Sequence, residues 1–251
     1  MTADSNRTLG IPKAEFLRSV RETLGRSNVP PETRYHHLLE TEADLEQRAA
    51  EVRHRLERDR PVLLDRLAEM ATKGGWNVHR APGVEEALGH IEALAQRLGV
   101  TRVVRSGQEV FEQLPVDAAL ANHGMSITPI VRDETNTREA LREEIRQADL
   151  GLTGTDYALA ETGSLVILPR RGLSRLVSLY PPVHVAVVRP QEVLETLDDL
   201  FLLRRLEYYQ RSREMGSYLN FITGPSRTAD IEMTIVEGVH GPKQVHLVLL
   251  G

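Results

Sequence analysis

The sequence predicts an α/β protein, a mainly parallel sheet with helices on both faces, carrying a helical N-terminal extension. Three observations predict it. From Gly74 onward, strand-like and helix-like runs alternate at the lengths of β-α units. The run "VHVAVV" at 183–188 is strongly β-branched and apolar at all but one position rather than alternating, which suits a strand covered on both faces. The closing run "VHLVLL" at 245–250 has the same character.

In order along the chain, Phe16, Leu17, Val20 and Leu24 recur at helical spacing after Pro12, and Gly25 supplies a stop, so 12–24 reads as a short amphipathic helix. The stretch "RSNVPPET" that follows disfavours helix and reads as an extended linker. Residues 38–60 are densely charged with sparse apolar positions and read as a solvated helix. Pro61 restarts a more apolar set, Val62, Leu63, Leu64, Leu67 and Met70. Residues 1–73 are thus expected to form a peripheral helical extension, and 74–251 the α/β domain. Within the latter, 76–80 and 101–105 read as strands, 84–98 and 137–147 as helices, and 191–213 as the longest helical run.

Composition narrows the function classes. An apolar fraction of 41% and a charged fraction of 27% are ordinary for a folded globular chain. A net charge of -5 gives no overall electrostatic reason to seek nucleic acid or an anionic membrane surface. The absence of cysteine excludes disulfides, thiolate nucleophiles and Cys-ligated zinc or iron–sulfur centres in this chain. No apolar run approaches the ~18 residues of a membrane span, and the N-terminus lacks the apolar core of a signal peptide, so a cytoplasmic protein is expected.

Three loop regions carry candidate chemistry, since ligands of open α/β sheets settle where loops gather at strand ends. The first is "GLTGTDYALAETGSLVIL", 151–168, where Gly154 and Gly163 permit close backbone approach and Thr153, Thr162 and Ser164 offer hydroxyls. Its two acids are Asp156, a ligand-contact candidate, and Glu161. Glu161, at a turn between two strand-like segments, is a candidate nucleophile, base or ligand anchor; the plainer alternative is a solvated turn tip. The second is "GPSRTADIEMTIVEGVHGP", 224–242, read as a strand end passing into a short helix. There Gly224, Ser226, Arg227, Thr228, Asp230 and His240 are candidate ligand contacts, with Arg227 as a clamp oriented by Asp230. The plainer alternative is an N-cap at Ser226 and a surface Arg227–Asp230 pair. The third, "GLSRLVSLYPPVHV", sets Arg175 and Ser178 on one helical face and leads into the strand holding His184, a candidate proton acceptor or a satisfied core histidine. No histidine spacing resembles a zinc motif, so no metal site is expected. The P-loop, the nucleophile elbow and the dinucleotide-binding glycine motif are all missing.

Taken together, "GLTGTDYALAETGSLVIL", "RLVSLYPPVHVAVV" and "TGPSRTADIEMTIVEGVHGPKQVHLVLL" resemble, in order and spacing, the LUD domain of the lactate-utilization C type. The resemblance covers 150–250 and implies a fold similar to the ribose-5-phosphate isomerase, glucosamine-6-phosphate isomerase and CoA-transferase group. It also implies membership of a set oxidising L-lactate to pyruvate with two iron–sulfur partner proteins. This chain, without thiolates and with no cofactor of its own, would be the member that binds a small lactate-like or phosphorylated anion, or a scaffold or regulatory subunit. By kinship of fold, "AETG" resembles the glutamate turn of CoA transferases, which makes Glu161 the nucleophile candidate. The glycine loop that usually accompanies it is not seen. The alternatives are a stand-alone acyl-CoA or sugar-phosphate enzyme of that fold, and a non-enzymatic metabolite sensor.

Overall fold

The computed structural model describes residues 12–25, 40–131, 136–168, 170, 174–211, 216, 218–229 and 235–251. The first helix, α1 (Lys13–Thr23), belongs to a separate unit and exposes its apolar stripe of Phe16, Leu17, Val20 and Leu24. Residues 42–251 form one compact unit.

That unit opens with α2 (Glu42–Arg58) and α3 (Arg60–Gly74). Alternation then runs β1 (Asn77–Ala81), α4 (Val84–Arg97), β2 (Arg102–Arg105), α5 (Val110–Gln113), α6 (Val116–Ala121), β3 (Ser126–Pro129), α7 (Arg138–Arg146) and β4 (Leu150–Thr153). A hairpin follows, β5 (Tyr157–Leu159) and β6 (Ser164–Ile167), then α8 (Leu176–Leu179) and β7 (Val183–Val188). The chain continues through β8 (Val193–Leu194), α9 (Leu197–Gln210), β9 (Asn220–Ile222), the two-stranded ribbon β10 (Arg227–Ala229) and β11 (Ile235–Glu237), and β12 (Gln244–Leu250).

Six strands make the main sheet in the order β1-β12-β7-β4-β2-β3, every neighbouring pair parallel. Both central apolar runs, β7 and β12, lie inside it, which is why they lack polar alternation. One face buries Val103, Leu150, Leu152, Val185, Val187 and Val248 against α4, α5 and α6. The other buries Ala186, Val188, Val245, Leu247 and Leu249 in a cluster shared with α2, α3, α9 and a second sheet, β8-β5-β6-β9. A smaller cluster joins Val104 to Ile145 and Val177, from α7 and α8. The α/β class expected from sequence is the class observed.

Four local expectations differ. The charged stretch around α2 carries one complete apolar stripe, Leu45, Ala49, Val52 and Leu56, and packs against α9, so only its remaining faces are solvated. The span 191–213 is not one helix: a 3-10 turn at Pro190–Glu192 and β8 come first, and α9 starts only where Thr196 and Asp199 form a capping box. The segment after Gly224 does not enter a helix, because Arg227, Thr228 and Ala229 pair antiparallel with Glu237, Val236 and Ile235. The helix carrying Ser178 is a single turn, and Arg175 is its N-cap rather than a residue on its face.

Candidate functional site

The sequence-derived candidates fall into three places. Thr153, Gly154 and Asp156 lie where β4 leaves the sheet at its carboxyl end. Thr153 bonds through Oγ1 to His184 Nε2 (2.9 Å) on the neighbouring strand. His184 is fully buried, beside the Trp76 ring, and burial drives its pKa down to about 3, with His246 contributing less. It is a neutral core histidine at physiological pH. A Cβ on Gly154 would sit 2.8 Å from Val110 Cγ1, so this glycine lets the strand end pass close to α5.

The second group is a knot against α3. Glu161 Oε1 accepts the Leu197 backbone N–H (2.6 Å), so the carboxylate holds the N-terminus of α9. Thr162 Oγ1 donates to Ser164 Oγ (2.9 Å), which bonds Thr223 Oγ1 (2.9 Å), tying β6 to β9. Gly163, at φ 67°, lies so close to α3 that a Cβ there would be 2.6 Å from Ala71 Cα. Gly224 faces Gly74, whose own Cβ would lie 2.6 Å from Thr223 O, and the Arg227 guanidinium lies beside Gly75. In this motif the glycines admit other parts of the protein.

The third group sits toward the amino ends of β7 and β12. Ser226 Oγ accepts the His240 N–H (3.2 Å), Ser226 O accepts the Gly238 N–H (2.9 Å), and Ser226 N–H donates to Pro242 O (3.1 Å). The Arg175 guanidinium stands 5.6 Å from the Tyr218 ring centroid. Thr228 lies on β10, and Asp230 lies outside the described residues.

Among the described residues, the first of these places borders a cavity. At the carboxyl ends of β7, β4 and β2 is a cleft of about 380 Å³ lined by Gln108, Thr155, Asp156, Tyr157, Arg170, Arg189, Glu192, Arg204, Glu207 and Arg211, among others. After β2 the chain leaves toward β3, and after β4 it leaves toward β7 in the opposite direction, so the cleft lies at the switch point where such sheets bind ligands. Of the sequence candidates, Asp156 lines it, fixed by the Leu168 N–H (2.7 Å) and Arg170 Nη1 (2.5 Å).

Its other charged groups are new. Glu192 is 6% exposed and takes the Arg189 backbone N–H (2.8 Å) and Nε–H (2.7 Å) on its two oxygens. Burial pushes its pKa up to about 7, against the Arg189 hydrogen bonds, which pull it down. Burial also raises the Tyr157 phenol, with Glu207 adding to the rise. Arg204 pairs with Glu207, which also takes Arg211 (2.9 Å). Two buried donors of cleft residues, Gln108 Nε2 and Arg204 Nε, have no hydrogen-bond partner. Four arginines, four carboxyl groups and these two donors make a site suited to a small oxyanion, with one carboxyl poised to exchange a proton near neutrality. Among the described residues no group of three His, Asp or Glu side chains is arranged to hold a metal ion.

Comparison with known proteins gives four findings. Residues 64–250 match the model of the LUD domain. Lactate utilization protein C of Halalkalibacterium halodurans is 33% identical over 181 residues, 72% of this chain and 75% of that protein. Lactate utilization protein B of Shouchella clausii is 25% identical, and the chain spans about half of it: 74% of this chain against 48% of that one. A crystal structure described as a duf162 family protein, from Deinococcus radiodurans, aligns with a TM-score of 0.49 at 24% identity, covering 76% of this chain and 98% of that one.

Proposed function

The chain belongs to the LUD domain family, and from that premise we propose that it is a component of a system oxidising L-lactate to pyruvate, holding the 2-hydroxy acid anion in the arginine-lined cleft. The observation that carries this reading is the pair of buried, unpartnered donors, Gln108 Nε2 and Arg204 Nε, in residues that line a cleft at the sheet's switch point. A carboxylate is the group that satisfies several such N–H donors at once, and burial makes each unmet donor costly, by about 1–3 kcal/mol.

In this reading Arg204 and Gln108 take the substrate carboxylate, and Arg170 and Arg211 set the positive field at the mouth. Glu192 is the residue suited to the hydroxyl proton. Ionised above about pH 7, it accepts a proton; protonated below, it leaves the cleft more positive and favours anion binding. The electrons of the oxidation pass to partner chains, since a chain without cysteine cannot hold iron–sulfur clusters through thiolates. The relatives named for lactate utilization, of both B and C type, support a multi-chain system of this kind.

Titration calorimetry with L-lactate, pyruvate and sulfate tests the site. Binding is expected to weaken about tenfold or more in Arg204→Gln, the loss of one charge-assisted contact. It is also expected to weaken as pH rises through about 7, and to lose that pH dependence in Glu192→Gln. Unchanged affinity in both variants, or a dependence that rises with pH, overturns the assignment.

A further inference from the structure

A second opening lies on the other side of Tyr157 and Glu207, between α2 and α9. Its volume is about 440 Å³, no smaller than the cleft and within the range of small-molecule sites. Its character is different. Leu56 of α2, Leu194 of β8 and Leu203 of α9 give it an apolar floor from three separate elements; Leu56 and Leu194 belong to the main core, so the groove reaches down to it. Two arginines border it. Arg60 spends one nitrogen on Pro190 O (2.6 Å), and Arg53 has no hydrogen-bond or ion-pair partner among the described residues. Of its two acids, Glu207 is already engaged by Arg204 and Arg211, which leaves the exposed Glu57 against two guanidinium groups.

These features select one class of ligand. An inorganic anion would satisfy the arginines and leave the leucine floor wet; a plain hydrocarbon would cover the floor and leave the guanidinium groups unmatched. We propose that the groove between α2 and α9 is a second binding site, separate from the cleft, for an amphipathic monoanion: a carboxylate or sulfonate on a medium-chain or fused-ring apolar body. The anionic end lies at Arg53 and Arg60, and the body covers Leu56, Leu194 and Leu203. The strap from Pro190 to Leu194 divides the two sites, with Glu192 lining the cleft and Gln191 and Leu194 lining the groove. The site does not depend on what the cleft binds.

The test is fluorescence titration of the full chain with 8-anilinonaphthalene-1-sulfonate, followed by competition. Saturable binding at one dye per chain is expected, displaced by octanoate, and not by acetate or octanol at the same concentration, since each of those carries only half of the required chemistry. Leu203→Glu is expected to remove binding, and Arg53→Ala to weaken it about fivefold, the scale of one exposed charge-assisted contact. Arg170→Ala, which alters only the cleft, is expected to leave it unchanged; near-ultraviolet circular dichroism of each variant confirms native packing. Dye binding that does not saturate, that survives Leu203→Glu in a natively packed variant, that is displaced equally by acetate or octanol, or that falls in Arg170→Ala overturns the proposal. Loss of lactate binding to the cleft is a separate result and bears only on the cleft.

Discussion

At the scale of single residues, the close packing of Gly163 shows what the glycine of the "AETGS" motif is for. Its φ of 67° is costly for any side chain, and a Cβ would press into the α3 backbone 2.6 Å from Ala71 Cα. Backbone cannot rotate away as a side-chain tip can. Gly163→Ala is therefore expected to destabilise the fold by about 2–4 kcal/mol, read as a lower urea midpoint. A midpoint within error of the parent would mean that the turn relaxes freely. The need for close approach at this motif was legible in the sequence; what it approaches was not, because a glycine pattern is the same whether a ligand or a helix fills the space. The cleft acids and arginines were less legible still. Arg189 and Glu192 follow β7, the clearest strand in the chain, whereas the sequence candidates Arg175 and Ser178 lie in the residues leading into it. The rule that ligands gather at carboxyl ends points to the residues after Val188. Arg204 and Arg211 have no local signal at all, since they reach the cleft from a helix far along the chain.

At the scale of elements, α9 is positioned by side chains that include Glu161, one of the candidate residues of the sequence. Thr196 and Asp199 form its capping box, Arg55 of α2 holds Asp199 (2.6 Å), and Glu161 takes the Leu197 N–H (2.6 Å). Three of the contacts that start this helix thus come from side chains, two of them acidic, as the positive helix terminus favours. Glu161→Ala is expected to cost about 1 kcal/mol and to increase hydrogen exchange in the first turn of α9. Glu161→Gln, which keeps an acceptor oxygen, is expected to cost less. Equal exchange in both variants and the parent would remove the anchoring role. The central strands β7 and β12 were readable because burial on both faces leaves a nearly unbroken apolar run, whereas the short strands β3 and β4 carry no such run. The ribbon of β10 and β11 was not readable, since "SRTAD" after Gly-Pro satisfies the rules of a helix start, and only pairing with residues six to ten further on makes it a strand.

At the scale of the whole molecule, the sheet holds buried histidines on both faces, and they set how stability responds to acid. His184 packs beside Trp76 on one face; His246 lies on the other, near His90, whose ring stacks on His79 at 3.7 Å between centroids. Burial lowers all three of His90, His184 and His246, His184 to about 3 and His246 to about 4, with neighbouring positive or histidine groups adding to the effect. His184 and His246 are neutral in the fold down to about pH 4, and all three protonate near 6.5 once unfolded, so their contribution is present above about pH 6.5 and is lost as pH falls toward the folded value. Glu192 acts in the opposite sense. Its raised pKa contributes stability below about 4.5, lost as pH climbs through about 7. Near pH 5 the unfolded chain gains about one proton each at His184 and His246, and the folded chain retains just under one at Glu192. The net uptake on unfolding is about one proton, or about 1.4 kcal/mol per pH unit, with His90 adding in the same direction. Urea midpoints are expected to fall steadily from pH 6.5 to 4 and to fall more steeply in Glu192→Gln, which removes the opposing group. A midpoint that stays level down to pH 4 would mean that these rings reach water in the folded state.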